Sequence, residues 1–171
     1  MSNERKVAII TGASQGIGAA LVKAYRERNY RIVATSRSIK QGSDPDIVAV
    51  PGDIGDPATA ERIVKEALSR FGRIDTLVNN AGIFIAKPFT DYTIDDFRSK
   101  IWTNLAGFFH ITQRAAAEML KEGSGHIVNI TTSLTDQAIS GVPTVLPISP
   151  RAASTRPPRR SPSNMRRKVY G

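Results

Sequence analysis

The chain has 171 residues, 24 Lys/Arg against 15 Asp/Glu for a net charge of +9, ten prolines and no cysteine. That length suits one ordinary domain with a buried core, while the lack of cysteine excludes disulfides and thiolate metal sites, and two histidines, His110 and His126, make a metal centre unexpected. No apolar stretch reaches the ~20 residues of a membrane helix, and the run after the first charges is too short for a signal-peptide core, so a reducing cytoplasm is the expected compartment.

In chain order, "KVAII" (6–10) is a short β-branched run followed at once by "TGASQGIG" (11–18). Ile17, Leu21, Val22 and Tyr25 then recur at helical spacing, which predicts one shared helix face. "YRIVATS" (30–36) and "DIVAV" (46–50) read as buried strands. Residues 56–72 carry helix punctuation: Asp56 as N-cap, Pro57 in the first turn and Gly72 just past the end. "DTLVNN" (75–80) is a further strand. Thr93 and Asp96 resemble a capping box, opening a helical stretch to about Glu122 with room for one break. "GHIVNITT" (125–132) is the fifth strand.

Strands alternating with helices imply right-handed crossovers and a parallel sheet covered on both faces. The expected fold is therefore α/β: a three-layer, Rossmann-like, doubly wound parallel sheet of about five strands. Beyond residue 133 periodicity is lost. Half of the prolines and seven of the Lys/Arg fall in 147–171, which contains no Asp or Glu. Residues 1–146 are left with 17 basic and 15 acidic residues, a net of only +2. The expected organisation is a nucleotide-binding domain over 1–146 and an irregular basic tail over 147–171.

A glycine-rich turn between a strand and a helix suits a pyrophosphate, because it lets backbone approach closely and aims free N–H groups at the anion. The spacing here, Gly12, Gly16 and Gly18, is G-x-x-x-G-x-G. At this point the chain resembles the classical short-chain dehydrogenase/reductase family, whose glycine motif T-G-x-x-x-G-x-G is matched by Thr11 to Gly18. The same likeness covers "NNAG" at Asn79 to Gly82, Asp53-Ile54 after the third strand, Asn104 in "TNLAGFF", and "HIVNITTS" as the fifth strand. It spans residues 5 to about 142.

The resemblance implies hydride transfer between a nicotinamide cofactor and a small-molecule carbonyl or alcohol. Cofactor contacts would come from Gly12, Ser14, Gln15, Gly16, Ile17, Gly18, Ser36, Arg37, Asp53, Ile54, Asn80, Ala81 and Gly82. After strand two the chain offers Ser36 and Arg37 where an acidic residue would accept from a ribose 2′-OH, so NADP(H) is favoured over NAD(H). Asn104 matches the family's catalytic asparagine. Thr132 stands where its catalytic serine is expected, with Ser133 adjacent, and either could donate to a substrate oxygen. The family assembles into homo-oligomers through its fourth and fifth helices.

The family's acid–base pair, a tyrosine with a lysine four residues later, has no match among the 171 residues. Activity is therefore expected to be impaired, with a non-catalytic nucleotide-binding remnant as the alternative. A third reading is nucleic-acid or acidic-surface binding by the tail. It ranks last because Tyr170 is the tail's only aromatic residue for stacking.

The tail also fits a shifted reading frame. If one nucleotide is lost near codon 147, Pro150-Arg151-Ala152-Ala153 is compatible with parental T-K-G-G, and Pro162 to Gly171 with A-I-E-Y-A-K-K-G-I-R. These strings resemble the family's sequence beyond its catalytic serine, although the restored frame places no tyrosine four residues before the lysine at 151. Genomic sequencing across codons 145–149 is expected to reveal the other frame continuing the family pattern. An intact, deeply covered frame encoding this tail would overturn the idea.

Overall fold

The computed structural model describes residues 5–132. Its strands are β1 (Val7–Thr11), β2 (Arg31–Ser36), β3 (Ile47–Pro51), β4 (Thr76–Asn79) and β5 (His126–Asn129). Its α-helices are α1 (Gly16–Glu27), α2 (Pro57–Phe71), α3 (Ile94–Lys100) and α4 (Gly107–Lys121). The strands form one parallel sheet in the order β3-β2-β1-β4-β5. The expected Rossmann-like architecture is thus present. The expected basic tail and Ser133 lie outside the described residues.

Strand β1 is central and its five residues are all buried, which is why it reads as an unbroken apolar run rather than an alternating one. Its side chains still alternate between faces. Ile9, opposite Val33 and Leu77, joins Ile63 and Ala67 of α2 and Ile111 and Ala115 of α4 in one core. Ala8 and Ile10 join Ile32, Ala34 and Val78 on the other side, beneath Leu21, Val22 and Tyr25 of α1. Each fully buried Ile or Leu contributes on the order of 1.5–3 kcal/mol. Two apolar layers therefore clamp the sheet and leave its carboxyl edge open.

The helix ends follow the sequence signals. Asp56 caps α2 by accepting from Ala58 N at 2.9 Å, and the Gly72 N–H donates back to Leu68 O. Thr93 and Asp96 form the predicted capping box at α3. Two expectations are corrected. Ile17 is 60% exposed and does not share the buried face of Leu21, Val22 and Tyr25, because the first turn of α1 overhangs the sheet edge. The one break allowed for between Thr93 and Glu122 is a π-helical segment, Ile101–Ala106. Strand β5 is shorter than 125–132, although Ile130 N still donates to Asn79 O at 3.0 Å.

Among the described residues no helix is long and apolar enough to cross a membrane, and no acidic or histidine cluster could hold a metal.

The amino edge of the sheet is tied by charge. Asp46 accepts two bonds from Arg5, at 2.6 and 2.7 Å, and one from Arg26 at 2.9 Å. Arg26 also pairs with Asp44 at 3.0 Å and donates to Tyr30 O. The Arg5 hydrogen bonds hold Asp46 below its ordinary carboxylate pKa against the cost of desolvation, with the Arg26 and Arg31 charges assisting. A depressed folded-state pKa contributes stability that is complete above the unfolded value, about 3.9, and is lost as pH falls through the folded value. Asp46→Ala is therefore expected to lower Tm at pH 7 by about 2–4 °C. The gap to the unaltered protein should close as melts are repeated from pH 4 towards pH 2.

Candidate functional site

In an open parallel sheet the ligand crevice lies at the carboxyl edge where strand order reverses. Here that point is between β1 and β4. It is closed by one buried hydroxyl: Thr11 Oγ1 accepts from Asn80 N at 3.0 Å and Ala81 N at 2.9 Å, and donates to Val78 O at 3.3 Å. The Asn80 side chain returns the link, donating to Thr11 O at 2.9 Å and Gly12 O at 3.2 Å. The loops after β1 and β4 are thereby fixed to each other.

Two glycines permit this closeness. Gly12 has φ of +67°, and a Cβ there would lie 2.9 Å from Ala81 Cα. At Gly18 a Cβ would run into the Gly12 carbonyl oxygen and stand 2.7 Å from Asn80 Nδ2. The helix start therefore lies directly on the turn. No side chain caps α1 and no acidic residue stands in its first turn, so its N-terminal N–H groups face the crevice without a protein anion.

Above this floor is a cavity of about 390 Å³, within the range of small-molecule sites. Of the residues singled out from sequence, Gly12, Ser14, Gln15, Gly16, Ile17, Ser36, Arg37, Asp53, Ile54, Asn80, Ala81 and Gly82 all line it. Gly18 does not, being buried beneath the turn. Thr35, Ser38, Gly52, Ile83 and Thr103 line it as well and escaped the sequence reading. Thr35 lies within the run of the second strand, and Ser38 and Gly52 stand one residue from Arg37 and Asp53. Ile83 likewise follows "NNAG" directly, and Thr103 opens "TNLAGFF".

Two hydroxyls at the end of β2, Thr35 Oγ1 and Ser36 Oγ, are buried without a hydrogen-bond partner. Such groups are rare and costly. Next to them Arg37 is exposed, and among the described residues it makes no hydrogen bond or ion pair. Asp53 is partly committed to its own turn, its Oδ1 accepting from Gly55 N at 2.9 Å.

Asn104 lies in the π-helical segment, a device often found at functional sites. Its Oδ1 accepts from Ile83 N at 2.9 Å and its Nδ2 donates to Ile83 O at 3.0 Å, as a strand partner would. Asn104 is joined to the cavity through Ile83 and through its neighbour Thr103, both of which line it. Thr132, half-buried, is the last described residue, and Ser133 lies outside the described residues.

The fold and crevice define a Rossmann-like nucleotide-binding class. The short chain dehydrogenase family model matches residues 6–144. An uncharacterized oxidoreductase of Staphylococcus aureus (strain USA300) is 33% identical over 132 residues, 73% of this chain and 57% of the relative. One of Methylorubrum extorquens is 36% identical over 143 residues, 78% of this chain and again 57% of the relative. Among solved structures, a short-chain dehydrogenase/reductase from Serratia marcescens superposes with a TM-score of 0.70 at 29% identity, covering 81% of this chain and 62% of that one. ElxO with NADP bound gives 0.73 at 28%, covering 79% and 58%. The chain belongs to the short-chain dehydrogenase family of oxidoreductases. It spans little more than half the length of the curated relatives it matches.

Because Gly18 has no room for a side chain, Gly18→Ala must push α1 from the turn. It is expected to cost about 1–3 kcal/mol of stability and to lower nucleotide affinity at least tenfold. Chemical denaturation and isothermal titration would measure the two effects.

Proposed function

We propose that the cavity holds NADP(H), and that the chain is the nucleotide-binding part of an oxidoreductase acting on a small carbonyl or alcohol. The observation that carries this reading is the end of β2: two buried hydroxyls without partners, beside an arginine that has none among the described residues. A 2′-phosphate on the adenosine ribose would take a charge-assisted pair from Arg37, with the Ser36 hydroxyl next to it in the chain as a further donor. The uncapped start of α1 would hold the pyrophosphate, over Gly12, Ser14, Gln15, Gly16 and Ile17. Gly16, with φ of +54° and no atom within 4 Å of where a Cβ would stand, leaves the approach open. Asp53 and Ile54 would border the adenine, and Asn80, Ala81 and Gly82 the ribose near the nicotinamide. The cofactor would supply the hydride.

The chain's own contribution is binding and orientation. Asn104 fixes Ile83 at the cavity wall, and Thr132 or Ser133 would offer a hydroxyl to a substrate oxygen. With no Tyr-x-x-x-Lys in its sequence, the chain by itself would bind cofactor with little or no turnover. The family match ends at residue 144, close to the change in composition, which supports a domain over 1–146 followed by a sequence read out of frame. The same reading assigns the charge of the tail to shifted codons rather than to nucleic-acid binding, and keeps the cytoplasm as the working compartment.

NADPH at about a hundred times its Kd is expected to stabilise the protein by about 2.7 kcal/mol, and NADH at the same concentration by clearly less. Arg37→Ala should weaken NADPH about tenfold, equal to about 1.4 kcal/mol, and leave NADH unchanged. Thermal shift titrations would check both, and equal responses to the two cofactors would overturn the NADP(H) assignment.

A further inference from the structure

Residues 81–88 belong to no helix or strand, yet their burial alternates. Ala81, Ile83, Ile85 and Lys87 are half-buried, while Gly82, Phe84, Ala86 and Pro88 are exposed. This is the pattern of an extended chain lying on a surface. The surface is the helical stretch that begins at Ile94, and the contacts run antiparallel to it. Ile83 is held through both backbone groups by Asn104. The Ile85 carbonyl accepts from Lys100 Nζ at 3.3 Å and from the Tyr92 hydroxyl at 2.6 Å. Lys87 Nζ donates to Asp96 Oδ2 at 2.6 Å. Two-residue steps along the chain meet four-residue steps along the helix. The first advance is about 6.6 Å and the second about 6.0 Å, so three rungs stay in register.

The middle rung is physically the most demanding. Lys100 is 5% exposed, and an ammonium is costly to bury unless polar partners surround it. Its surroundings supply them: the Ile85 carbonyl, and the Phe84 and Tyr92 rings with centroids 5.6 and 5.5 Å from Nζ. Burial pushes the Lys100 pKa down, opposed by Asp96 one turn earlier. Asp96 is itself held at about 2, first by Lys87 and then by Thr93. An apolar side chain would fill the same space without these requirements.

We propose that Lys100 is a positioning residue that keeps residues 83–87 in register on the helix, setting Ile83 against Asn104 at the cavity wall. Its bearing on ligand binding rests on the cofactor reading of the cavity, but the register itself is measurable without nucleotide.

The test is amide hydrogen exchange in the full chain with Lys100→Met, which keeps the bulk and removes the charge and donors. The Ile83 N–H, bonded to Asn104, is expected to exchange about tenfold faster, with Tm unchanged or raised. Lys100→Arg should keep protection within about threefold of the unaltered protein. Unaltered Ile83 protection in Lys100→Met overturns the proposal, as does a Lys100→Arg variant as unprotected as Lys100→Met. Should Lys100→Met fold poorly, Lys100→Gln retains a donor and is expected to show intermediate acceleration, with unaltered protection again overturning the proposal. Added NADPH should slow exchange across residues 12–18. Failure there counts against the cofactor reading alone, because the Ile83 result stands without it.

Discussion

The site depends on the bond system of one buried side chain, the hydroxyl of Thr11. A parallel sheet holds β1 and β4 together through backbone bonds, but those stop at the strand ends, where the two loops must part to leave a crevice. Thr11 Oγ1 extends the pairing beyond the last rung by accepting from Asn80 N and Ala81 N together. Asn80 answers with a donor to the carbonyls of Thr11 and Gly12. The crevice floor is therefore cross-linked by side chains, and its backbone is held in place for whatever sits above. This explains the absence of side chains at 12 and 18, since the same proximity leaves no volume for a Cβ.

Polar groups are treated in opposite ways on the two sides of the cavity. On the side of β4 and the π-helical segment the bonds are made within the protein: Asn104 with both groups of Ile83, Asn79 Nδ2 with Thr112 and Asn129. Such saturation makes a stiff wall, because moving any one partner leaves a buried group unpaired. On the side of β2 the hydroxyls of Thr35 and Ser36 are buried and unanswered. An orphaned hydroxyl is destabilising by itself, so this edge carries a cost that a bound polar group would remove. Under the proposed cofactor reading β2 would be the edge that recognises, and β4 with its helix the edge that positions.

What the sequence made legible follows from whether a signal is local. The strands were readable because burial on both faces forces continuous β-branched runs, as in Val7 to Ile10, and α2 because Asp56, Pro57 and Gly72 each act through their own backbone. The glycine turn was readable for the same reason. Ile17 misled because helical periodicity reports a face, not what lies opposite it, and the first turn of α1 faces the cavity rather than the sheet. The π-helical segment was visible only as room for a break, since its cause is tertiary: Asn104 engages a loop residue 21 positions earlier, and Gly107 lies against Ile54. Lys100 had no signal at all. A lysine among Asp95, Asp96 and Arg98 reads as a solvated helix face, and only the return of residues 83–87 buries it.

Electrostatics of the site are likewise local. The net charge of +9 resides mostly in 147–171, and in the remainder the cations near the sheet are largely spoken for: Arg5 and Arg26 by Asp46 and Asp44, Arg73 by Asp75, Lys87 by Asp96. A chain whose charges are so paired generates little long-range field over a cavity, because each pair falls off as a dipole and salt screens what remains within about 10 Å. Against that near-neutral background Arg37 stands out. It is exposed on the cavity rim, without an ion pair among the described residues, and next to the two unanswered hydroxyls. On the proposed reading, selectivity for a phosphorylated ribose would rest on Arg37 and the hydroxyl beside it at contact range, not on the basicity of the chain as a whole.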